Sequence, residues 1–360
     1  MYAKVGDLNA HGNIKYLLNS HNYISDEVLA AISATPFSEG SIVFPRVGAA
    51  LRANNKRILN EDSVVDDNVL VVTVKNNQIC WPEYLYYWFE YHDLQEFCND
   101  GSVPVIGATY LKKQKVVLPE LTVQKTEAAI LSTWDVCIEK QSRLIAAREL
   151  YYSYERFRLL TRSGYPHLKV GTFAHEVSTR NRLGDNERVL SVTNNRGFVL
   201  PKDQFRRRVA SEDVSNYKVV TRGQYAYNPS RLNVGSIARL DGWKSGVLSP
   251  MYVVFELDET KSDSDYFFHW LGSSQARQRI SSSAQGTVRE TVSFSDFSLV
   301  TVPLPSIGRQ VAISRYLNSL RNEISIVRAQ LSKLKQQKRG LMQKLLTGQW
   351  QLALPESAIA

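Results

Sequence analysis

A regular spacing of apolar residues stands out near the end of the sequence. From residue 313 to residue 345 they recur at alternating steps of four and three, and no proline lies between Pro305 and Pro355. Lys338 takes the one place that is not apolar. The pattern is the a/d repeat of a coiled coil and predicts one long helix with a continuous apolar stripe. The stripe consists of Ile313, Leu317, Leu320, Ile324, Val327, Leu331, Leu334, Leu341 and Leu345.

A second long helix is predicted 186 residues earlier. Subtracting 186 from every second core position, starting at Leu317, gives Leu131, Ile138, Ile145, Tyr152 and Leu159. The other core positions turn polar after Trp134, but a neighbouring apolar stripe predicts a rotated face: Ile130, Cys137, Leu144 and Tyr151. Antiparallel pairing of the two helices buries both stripes. The predicted helix-pairing or partner-binding residues are Leu131, Trp134, Ile138, Ile145, Tyr152, Leu317, Leu320, Ile324, Leu331 and Leu341.

Motifs outside the helices repeat as well. Segments 40–45, 69–72, 84–88 and 117–124 reappear in the same order as 223–229, 251–254, 266–270 and 303–310, at offsets of 182 to 186 residues. A long-period repeat of this kind indicates a duplicated structural unit. Each unit begins with β-branched and aromatic runs bounded by Gly, Asn and Pro, which predict an α+β domain, and ends with a long helix. Phe44 and Tyr227 lie in the apolar runs and are predicted core residues.

The predicted fold is therefore α+β, with two domains in pseudo-twofold relation that are separated by two long antiparallel coiled-coil helices. The predicted segments are 1–119 (first domain), 120–163 (first helix), 164–305 (second domain), 306–348 (second helix) and 349–360 (C-terminal tail). The first domain begins late, since about 25 residues of the second unit precede the strand that corresponds to residues 2–5. Residues 348–352 resemble residues 164–168, which predicts that the tail packs on the first domain.

Composition narrows the class of protein. The formal net charge is +9 and the sequence pI is about 9.3, which favours a polyanionic partner such as DNA or RNA but also fits an acidic protein or a membrane surface. No stretch approaches the roughly 18 apolar residues of a membrane helix, and the N-terminus lacks the features of a signal peptide. The three cysteines have no paired or metal-like spacing. We expect a cytoplasmic protein without membrane contact.

The end of the second helix carries a family resemblance. Its closing segment is Gln337-Lys-Arg-Gly340-Leu-Met-Gln343-Lys-Leu-Leu346-Thr-Gly348, and a Leu-Pro pair with a following glutamine precedes both helices. With these motifs, the chain from about residue 2 to residue 352 resembles the DNA-specificity (S) subunits of type I restriction-modification systems. The motifs are Leu118-Pro119 with Gln124, Leu304-Pro305 with Gln310, and Ser132-Thr-Trp134-Asp135 with Ile138-Glu139.

The resemblance implies a non-catalytic subunit of a phage-defence system. Two target-recognition domains would alternate with two conserved helices, each domain reading one half of a bipartite DNA target. Implied partners are double-stranded DNA, two copies of a methyltransferase (modification) subunit and ATP-dependent restriction subunits. No cofactor is expected in this chain, since S-adenosylmethionine would bind the methyltransferase subunit, which methylates adenine. The late start of the first domain leaves open whether it reads a full half-site.

Candidate DNA-reading residues follow from chemistry. Arginine recognises guanine, and asparagine or glutamine recognises adenine, through paired hydrogen bonds. The three adjacent guanidinium groups at 206–208 are the strongest candidates, since a strand or tight loop cannot bury all of them. We predict that Arg207→Ala and Arg231→Ala weaken DNA binding. The full candidate set is Arg46, Asn54, Asn55, Lys56, Arg57, Asn194, Asn195, Arg196, Arg206, Arg207, Arg208, Asn228, Arg231, Asn233, Ser282, Thr287 and Arg289. Contacts with phosphate, which carry less sequence information, are predicted for Lys15, Lys202, Lys218, Arg222, Ser281, Ser282, Ser283, Thr287 and Arg289.

Three alternatives remain open from the sequence. The heptads also fit a homodimer or a structural stalk. An orphan DNA-binding protein or regulator could share the duplicated frame without any methyltransferase. A nuclease is suggested only by Asp241 with Glu259-Thr-Lys261, since the sequence has no phosphate loop, no methyltransferase Asn-Pro-Pro-aromatic motif and no His-Glu-x-x-His motif. No catalytic or metal-binding residue is predicted.

Overall fold

The computed structural model describes residues 1–31, 34–99, 101, 103–182, 184, 188–201, 213–284 and 291–352. The chain forms two compact units. Unit 1 comprises Met1–Arg143 and Arg328–Ala360, and unit 2 comprises Leu144–Val327. Each unit contains part of both long helices and a sheet of its own, in a mixed α/β fold.

The described residues contain eight α-helices. Two of them, α4 and α8, are 40 residues long, which corresponds to about 60 Å each at 1.5 Å per residue. Both lie inside the segments predicted as long helices, and both are divided between the units. The helices are α1 (Asp26–Ala31), α2 (Pro82–Tyr91), α3 (Ala108–Leu111), α4 (Leu121–Leu160), α5 (Ser264–Leu271), α6 (Ser274–Ala284), α7 (Phe294–Ser298) and α8 (Ile307–Leu346).

Unit 1 is built around a four-stranded sheet. The strands of unit 1 are β1 (Tyr2–Ala3), β2 (Tyr16–Leu17), β3 (Ile42–Pro45), β4 (Arg57–Leu59), β5 (Val64–Val65) and β6 (Val69–Val72). The sheet order is β2-β4-β3-β6, with β3 antiparallel to both neighbours and β2 parallel to β4, while β1 pairs with β5. The main core joins Phe44 of the sheet and Trp88 of α2 to Leu131 of α4 and Met342 of α8. Leu352 of the tail packs against this core.

Unit 2 has the larger set of strands. They are β7 (His167–Lys169), β8 (Ala174–Val177), β9 (Ser191–Thr193), β10 (Gly197–Val199), β11 (Lys218–Thr221), β12 (Tyr225–Tyr227), β13 (Ile237–Arg239), β14 (Ser245–Leu248), β15 (Val253–Leu257) and β16 (Thr301–Pro303). The central sheet has the order β13-β12-β15-β8, and three antiparallel pairs accompany it: β9 with β10, β11 with β14, and β7 with β16. Its core joins Tyr227 and Phe255 to Trp270 of α5 and Leu317 of α8.

The predicted repeat is present in the local structure of both units. The antiparallel triplet β4-β3-β6 of unit 1 recurs as β13-β12-β15 of unit 2, and an aromatic helix follows each triplet, α2 in one and α5 in the other. Phe44 and Tyr227 are fully buried, which confirms the prediction that they are core residues. The fourth strand differs, because β2 joins the β4 side in unit 1 whereas β8 joins the β15 side in unit 2.

Within unit 1, the parts of α4 and α8 pair in antiparallel orientation. Asp135 of α4 forms an ion pair with Lys338 of α8, and Gln141 Nε2 donates to Gln330 Oε1 at 3.0 Å. Residue numbers therefore rise along one helix as they fall along the other. Lys338, the one non-apolar residue of the heptad pattern in α8, is buried, and its ammonium group contacts the carboxylate of Asp135 on the facing helix.

Unit 2 shows the same antiparallel pairing. Arg148 Nη1 donates to Glu323 Oε2 at 2.8 Å, and the hydroxyls of Tyr151 and Tyr316 lie 3.0 Å apart. Of the predicted pairing residues across both units, four are buried: Leu131, Leu317, Leu320 and Ile324. The remaining ones are partly buried: Trp134, Ile138, Ile145, Tyr152, Leu331 and Leu341.

The predicted rotation of the apolar face of α4 is wrong. Cys137, Leu144 and Tyr151 are exposed. The helix keeps its original heptad face, because polar residues at the remaining core positions meet polar partners on α8: Gln141 contacts Gln330 and Arg148 contacts Glu323.

Candidate nucleic-acid and partner surfaces

The loop that follows β12 in unit 2 presents Arg231. Asn228 Oδ1 accepts a hydrogen bond from the backbone N–H of Ser230 at 3.0 Å and so caps a short 3-10 helix over Pro229–Arg231. The backbone of Val292 donates to the carbonyl of Pro229 at 3.1 Å and fixes the loop from the other side. Arg231 is exposed, whereas Asn233 is half-buried. A guanidinium group thus projects from an anchored loop, while the side chain of Asn228 is engaged locally.

The turn between β9 and β10 places three predicted readers side by side. Asn194, Asn195 and Arg196 are all exposed at the tip of this hairpin. The backbone N–H of Arg196 donates to Thr193 Oγ1 at 3.1 Å, and Gly197 has φ +65°, the left-handed conformation that a tight turn needs and glycine adopts without strain. Two amides and one guanidinium therefore share a tight turn, and these are the groups that read adenine and guanine edges.

Unit 1 presents Arg46 at the place equivalent to the loop after β12. Arg46 follows β3 and is exposed. Its backbone N–H donates to the carbonyl of Asn68 at 2.8 Å, and its carbonyl accepts from Ile106 at 2.9 Å. The side chain thus leaves a backbone that is held on both sides. Asn55 is half-buried and donates to Asn9 Oδ1.

Two predicted readers of unit 1 are internal, which corrects the prediction for them. Asn54 has φ +55°, and its Oδ1 accepts from Lys56 Nζ and from the backbone N–H of Leu94, both at 2.8 Å. Lys56 is buried, and its ammonium also donates to the carbonyl of His92 at 2.8 Å. Burial lowers the pKa of Lys56 to about 8. Neither side chain is free to reach a base, because together they hold a left-handed turn against α2.

Two further candidates, Arg57 and Ser282, make local hydrogen bonds to backbone carbonyls. Arg57 is half-buried and donates to the carbonyl of Lys56 at 2.6 Å. Ser282 is exposed near the end of α6, where its Oγ donates to the carbonyl of Gln278 at 3.0 Å. Six predicted DNA contacts lie outside the described residues: Lys202, Arg206, Arg207, Arg208, Thr287 and Arg289.

Two predicted phosphate contacts are buried ion pairs instead. Lys15 lies 2.9 Å from Glu83 and also donates to the Tyr87 hydroxyl at 3.1 Å. Lys218 lies 3.3 Å from Glu176. Both lysines are buried, so these positive charges are satisfied inside the domains and are unavailable to phosphate.

One surface was missed by the sequence reasoning. Leu150, Tyr154 and Phe157 occupy positions i, i+4 and i+7 of α4 in unit 2, on one side of the helix. Their side chains are 73%, 58% and 58% exposed. The spacing of four and then three residues is also present in the sequence, beside the heptad positions.

Comparison with known proteins finds a family match for the first part of the chain. Residues 2–147 match the family described as the type I restriction modification DNA specificity domain. Residues 2–147, which make up less than half of the chain, are therefore similar to the type I restriction-modification specificity family. This confirms the resemblance found in the helix motifs. Members of the specificity family are non-catalytic.

Solved structures show that the fold extends over most of the chain. The S subunit of a type I restriction-modification system from M. genitalium has a TM-score of 0.54 at 14% identity, over 89% of this chain and 86% of that chain. A chain from a structure on complex assembly and conformational transition of the type I R-M system has a TM-score of 0.55 at 12% identity, over 96% and 90%. At such identities the likeness shows a shared fold and nothing further.

Two of the residues suggestive of a nuclease, Asp241 and Lys261, form local ion pairs. Asp241 pairs with Arg239 at 2.7 Å, and Lys261 pairs with Asp258 at 2.9 Å. Within the described ranges there is no group of three or more His, Cys, Asp or Glu side chains placed to hold a metal ion. No helix in the same ranges is long and apolar enough to cross a membrane.

Proposed function

We propose that this chain is the DNA-recognition subunit of a type I restriction-modification complex. It reads a bipartite target, one half-site per unit, and carries two copies of a methyltransferase subunit. The observation that carries the proposal is the specificity domain at residues 2–147 together with the recurrence of the same strand triplet and aromatic helix in the second unit. A duplicated reader fits a target made of two separated parts.

The DNA-reading surface of unit 2 consists of the hairpin tip Asn194-Asn195-Arg196 and Arg231. These four side chains are supported by anchored turns and combine the donors that recognise guanine with the amides that recognise adenine. Arg46 takes the equivalent place in unit 1. The formal net charge of +9 adds a sequence-independent attraction to phosphate.

The long helices serve as spacer and scaffold in this proposal. Antiparallel contacts in both units support an intramolecular coiled coil between α4 and α8, and the duplication supports a pseudo-twofold relation of the readers. The helix length would then fix the unread spacer between half-sites. S-adenosylmethionine would bind the methyltransferase subunits, and ATP-dependent restriction subunits would join the assembled complex.

The test begins with the methylome of the host, which gives the target motif. The chain is then co-expressed with the methyltransferase subunit, and binding to the motif is measured over a series of salt concentrations. Arg231→Ala and Arg196→Ala are expected to weaken specific binding by about 1–3 kcal/mol each and to relax specificity at one base pair. Lys244→Ala, at an exposed lysine in the connection between β13 and β14, removes one positive charge as well and serves as the control.

Two results would overturn the proposal. If both arginine variants match the control in affinity and specificity, the reading surface lies elsewhere. If the chain binds DNA sequence-specifically but never co-purifies with an S-adenosylmethionine-binding subunit, an orphan DNA-binding protein is the better description.

A further inference from the structure

A buried ion pair joins the two long helices in unit 1. Lys338, at a core position of α8, contacts Asp135 of α4, and its ammonium group lies 5.1 Å from the centre of the Tyr87 ring. The side chains of Lys338 and Asp135 are 11% and 26% exposed. A buried charge is costly unless an opposite charge neutralises it, so Lys338 requires a carboxylate on the helix that faces it.

Two polar core residues of α4 depend on α8 in the same way. Gln141 donates to Gln330 at 3.0 Å in unit 1, and Arg148 donates to Glu323 at 2.8 Å in unit 2. Arg148 and Glu323 are each close to half exposed, so this pair contributes less than the buried one. Polar groups that meet their complement across a helix pair determine which helices pair in a coiled coil.

The duplication allows the alternative pairings to be compared residue by residue, because each residue of α4 corresponds to the residue of α8 that is 186 positions later. If α8 paired with α8 of a second copy, the place of Asp135 opposite Lys338 would be taken by its counterpart, Arg321. Two cations would then face each other at a buried position, and twofold symmetry would repeat this contact at the other end of the pair. Juxtaposed like charges strongly disfavour such a pairing.

A pairing of α4 with α4 of a second copy is disfavoured for a different reason. The residues of α4 that correspond to Gln330 and Glu323 are Leu144 and Cys137. The amide and the guanidinium group in the core of α4 would therefore meet an apolar side chain and a thiol. Each chain supplies one copy of each long helix, so this pairing would also leave two copies of α8 to the arrangement that Lys338 opposes.

We infer that these polar residues make the pairing of the long helices heterotypic: α4 accepts α8, and neither helix accepts a copy of itself. The heptad pattern alone also fits a homodimer, and the polar contacts between the helices argue against one. The pairing preference goes beyond the proposed function, and only its consequence for DNA rests on that function. Each assembly contains one unit 1 and one unit 2, so the target that it reads consists of two different halves.

The experiment cleaves the folded full-length chain between its two halves. A protease site is inserted after Ser163, an exposed residue between α4 and β7, and cleavage yields segments 1–163 and 164–360. The cleaved chain is unfolded in urea and refolded as a mixture, and native mass spectrometry counts the three possible pairs. Neither segment has to fold by itself, because each unit contains parts of both. For the unmodified chain we expect less than about 5% of pairs between identical segments, where random pairing would give about half, since specific interfaces disfavour the wrong partner.

The variant D135L/Q141V/R148L/K338L tests the cause of this preference. It places leucine at 135 and 338, and at 141 and 148 it introduces the residues found at the corresponding positions of α8. Pairs of identical segments should then rise at least about 5-fold, because polar contacts no longer distinguish the pairings. The control E139Q/R143Q removes an ion pair that lies within α4 and should leave the preference unchanged.

A single substitution tests the contribution of α8 separately. K338L removes the repulsion between two copies of α8 but leaves Gln141 and Arg148 in place. We therefore expect pairs of two 164–360 segments and no pairs of two 1–163 segments. This variant decides the question for α8 even if the four-residue variant does not refold.

The outcomes separate the inference from the proposed function. Pairs of identical segments at the random share in the unmodified chain would overturn the inference, and so would a four-residue variant or a K338L variant that still forms only unlike pairs. Unlike pairs that bind no bipartite target together with a methyltransferase subunit would count against the proposed function and leave the inference intact.

Discussion

Gln124 and Gln310 make the same three hydrogen bonds in the two units. Gln124 Oε1 accepts from the backbone N–H of Trp81 at 2.8 Å, and its Nε2 donates to the carbonyls of Ile79 at 2.9 Å and Pro119 at 2.7 Å. Trp81 is the N-cap residue of α2, and Pro119 lies two residues before the start of α4. One buried amide therefore joins the start of the aromatic helix to the start of the long helix.

The second unit repeats this arrangement. Gln310 Oε1 accepts from the N–H of Asp263, which caps α5, at 2.9 Å, and Nε2 donates to the carbonyls of Lys261 at 3.1 Å and Pro305 at 2.8 Å. Both glutamines are fully buried. The glutamine that follows each Leu-Pro pair thus stabilises the junction between the aromatic helix and the long helix. The motif precedes both long helices because both units use the same hydrogen bonds at this junction.

Replacing either glutamine by leucine is expected to destabilise its unit. The change keeps the approximate volume of the side chain but leaves three backbone groups without partners, and an unsatisfied buried group costs about 1–3 kcal/mol. We therefore expect Gln124→Leu and Gln310→Leu each to lower the free energy of unfolding by about 2–4 kcal/mol, measured by urea denaturation. Gln337→Leu, at an exposed site on α8, is the control and should change stability by less than about 0.5 kcal/mol. Equal losses in all three variants would contradict this account.

A second prediction concerns the lysine in the heptad. Asp135 accepts from Lys338 Nζ and, at 2.6 Å, from the hydroxyl of Tyr87. Asp135→Leu leaves a buried ammonium group without its carboxylate, and we expect a loss of about 2–4 kcal/mol in the free energy of unfolding. Adding Lys338→Leu restores an apolar heptad position, so the double variant should be more stable than Asp135→Leu alone. A double variant that is less stable than the single one would show that the lysine stabilises the helix pair through another contact.

Sequence patterns predicted the parts of the fold that depend on periodic burial. The helix stripe from Ile313 to Leu345 and the repeat of the β3 and β12 segments follow from apolar side chains at regular spacing, which has few structural solutions. The prediction of a rotated apolar face on α4 was wrong. A polar residue at a core position indicates a rotated face only if the facing helix offers it no polar partner. Arg148 has one in Glu323, and no spacing rule within a single helix shows that.

The candidate DNA site was predicted less well, for a similar reason. An Asn-Asn-Lys-Arg run looks like a reading loop, yet the left-handed turn at Asn54 needs a side chain that satisfies Lys56 and Leu94. The run Asn194-Asn195-Arg196 has nearly the same composition but lies at an exposed hairpin tip. The two runs are similar in composition, and the tertiary contacts of each turn determine which side chains remain accessible.

Acid should destabilise unit 2 through His269. Burial lowers the pKa of His269 to about 4, while its ring nitrogens contact the Tyr152 hydroxyl and Asn318 Oδ1, both at 2.9 Å. The unfolded chain takes up a proton near the ordinary histidine pKa of about 6.5, and the folded chain does not. The contribution of the neutral His269 ring to the free energy of unfolding is therefore complete above pH 6.5 and is lost as the pH falls toward 4. Between pH 7 and pH 5 we expect a loss of about 2 kcal/mol, at 1.36 kcal/mol per pH unit.

Amide hydrogen exchange in α5 measures this effect locally. His269→Gln should reduce the pH dependence of exchange between pH 5 and pH 7. The control is His175→Gln, which removes an exposed histidine paired with Glu256 at 2.8 Å and should leave the α5 profile unchanged. If His269→Gln retains the full pH dependence, another group is responsible.

Unit 1 should respond to pH in the opposite direction through Glu127. This residue lies in α4 at the position that corresponds to Ile313 of α8; it is buried, and its Oε2 has no hydrogen-bond partner among the described residues. Burial raises its pKa to about 7, so the folded chain holds a proton that the unfolded chain releases near 4.5. The contribution of the Glu127 carboxyl to the free energy of unfolding is therefore complete below pH 4.5 and is lost as the pH rises through 7. Glu127→Ile, which introduces the residue found at the corresponding position of α8, should therefore raise the free energy of unfolding at pH 8 by about 1–3 kcal/mol and have a smaller effect at pH 5.

Urea denaturation at both pH values measures the difference between Glu127→Ile and the unmodified chain. The control is Glu120→Gln, which removes an exposed carboxylate just before α4. A gain of the same size at pH 5 and pH 8 would mean that the isoleucine stabilises unit 1 by packing alone and that the Glu127 carboxyl does not titrate in this range.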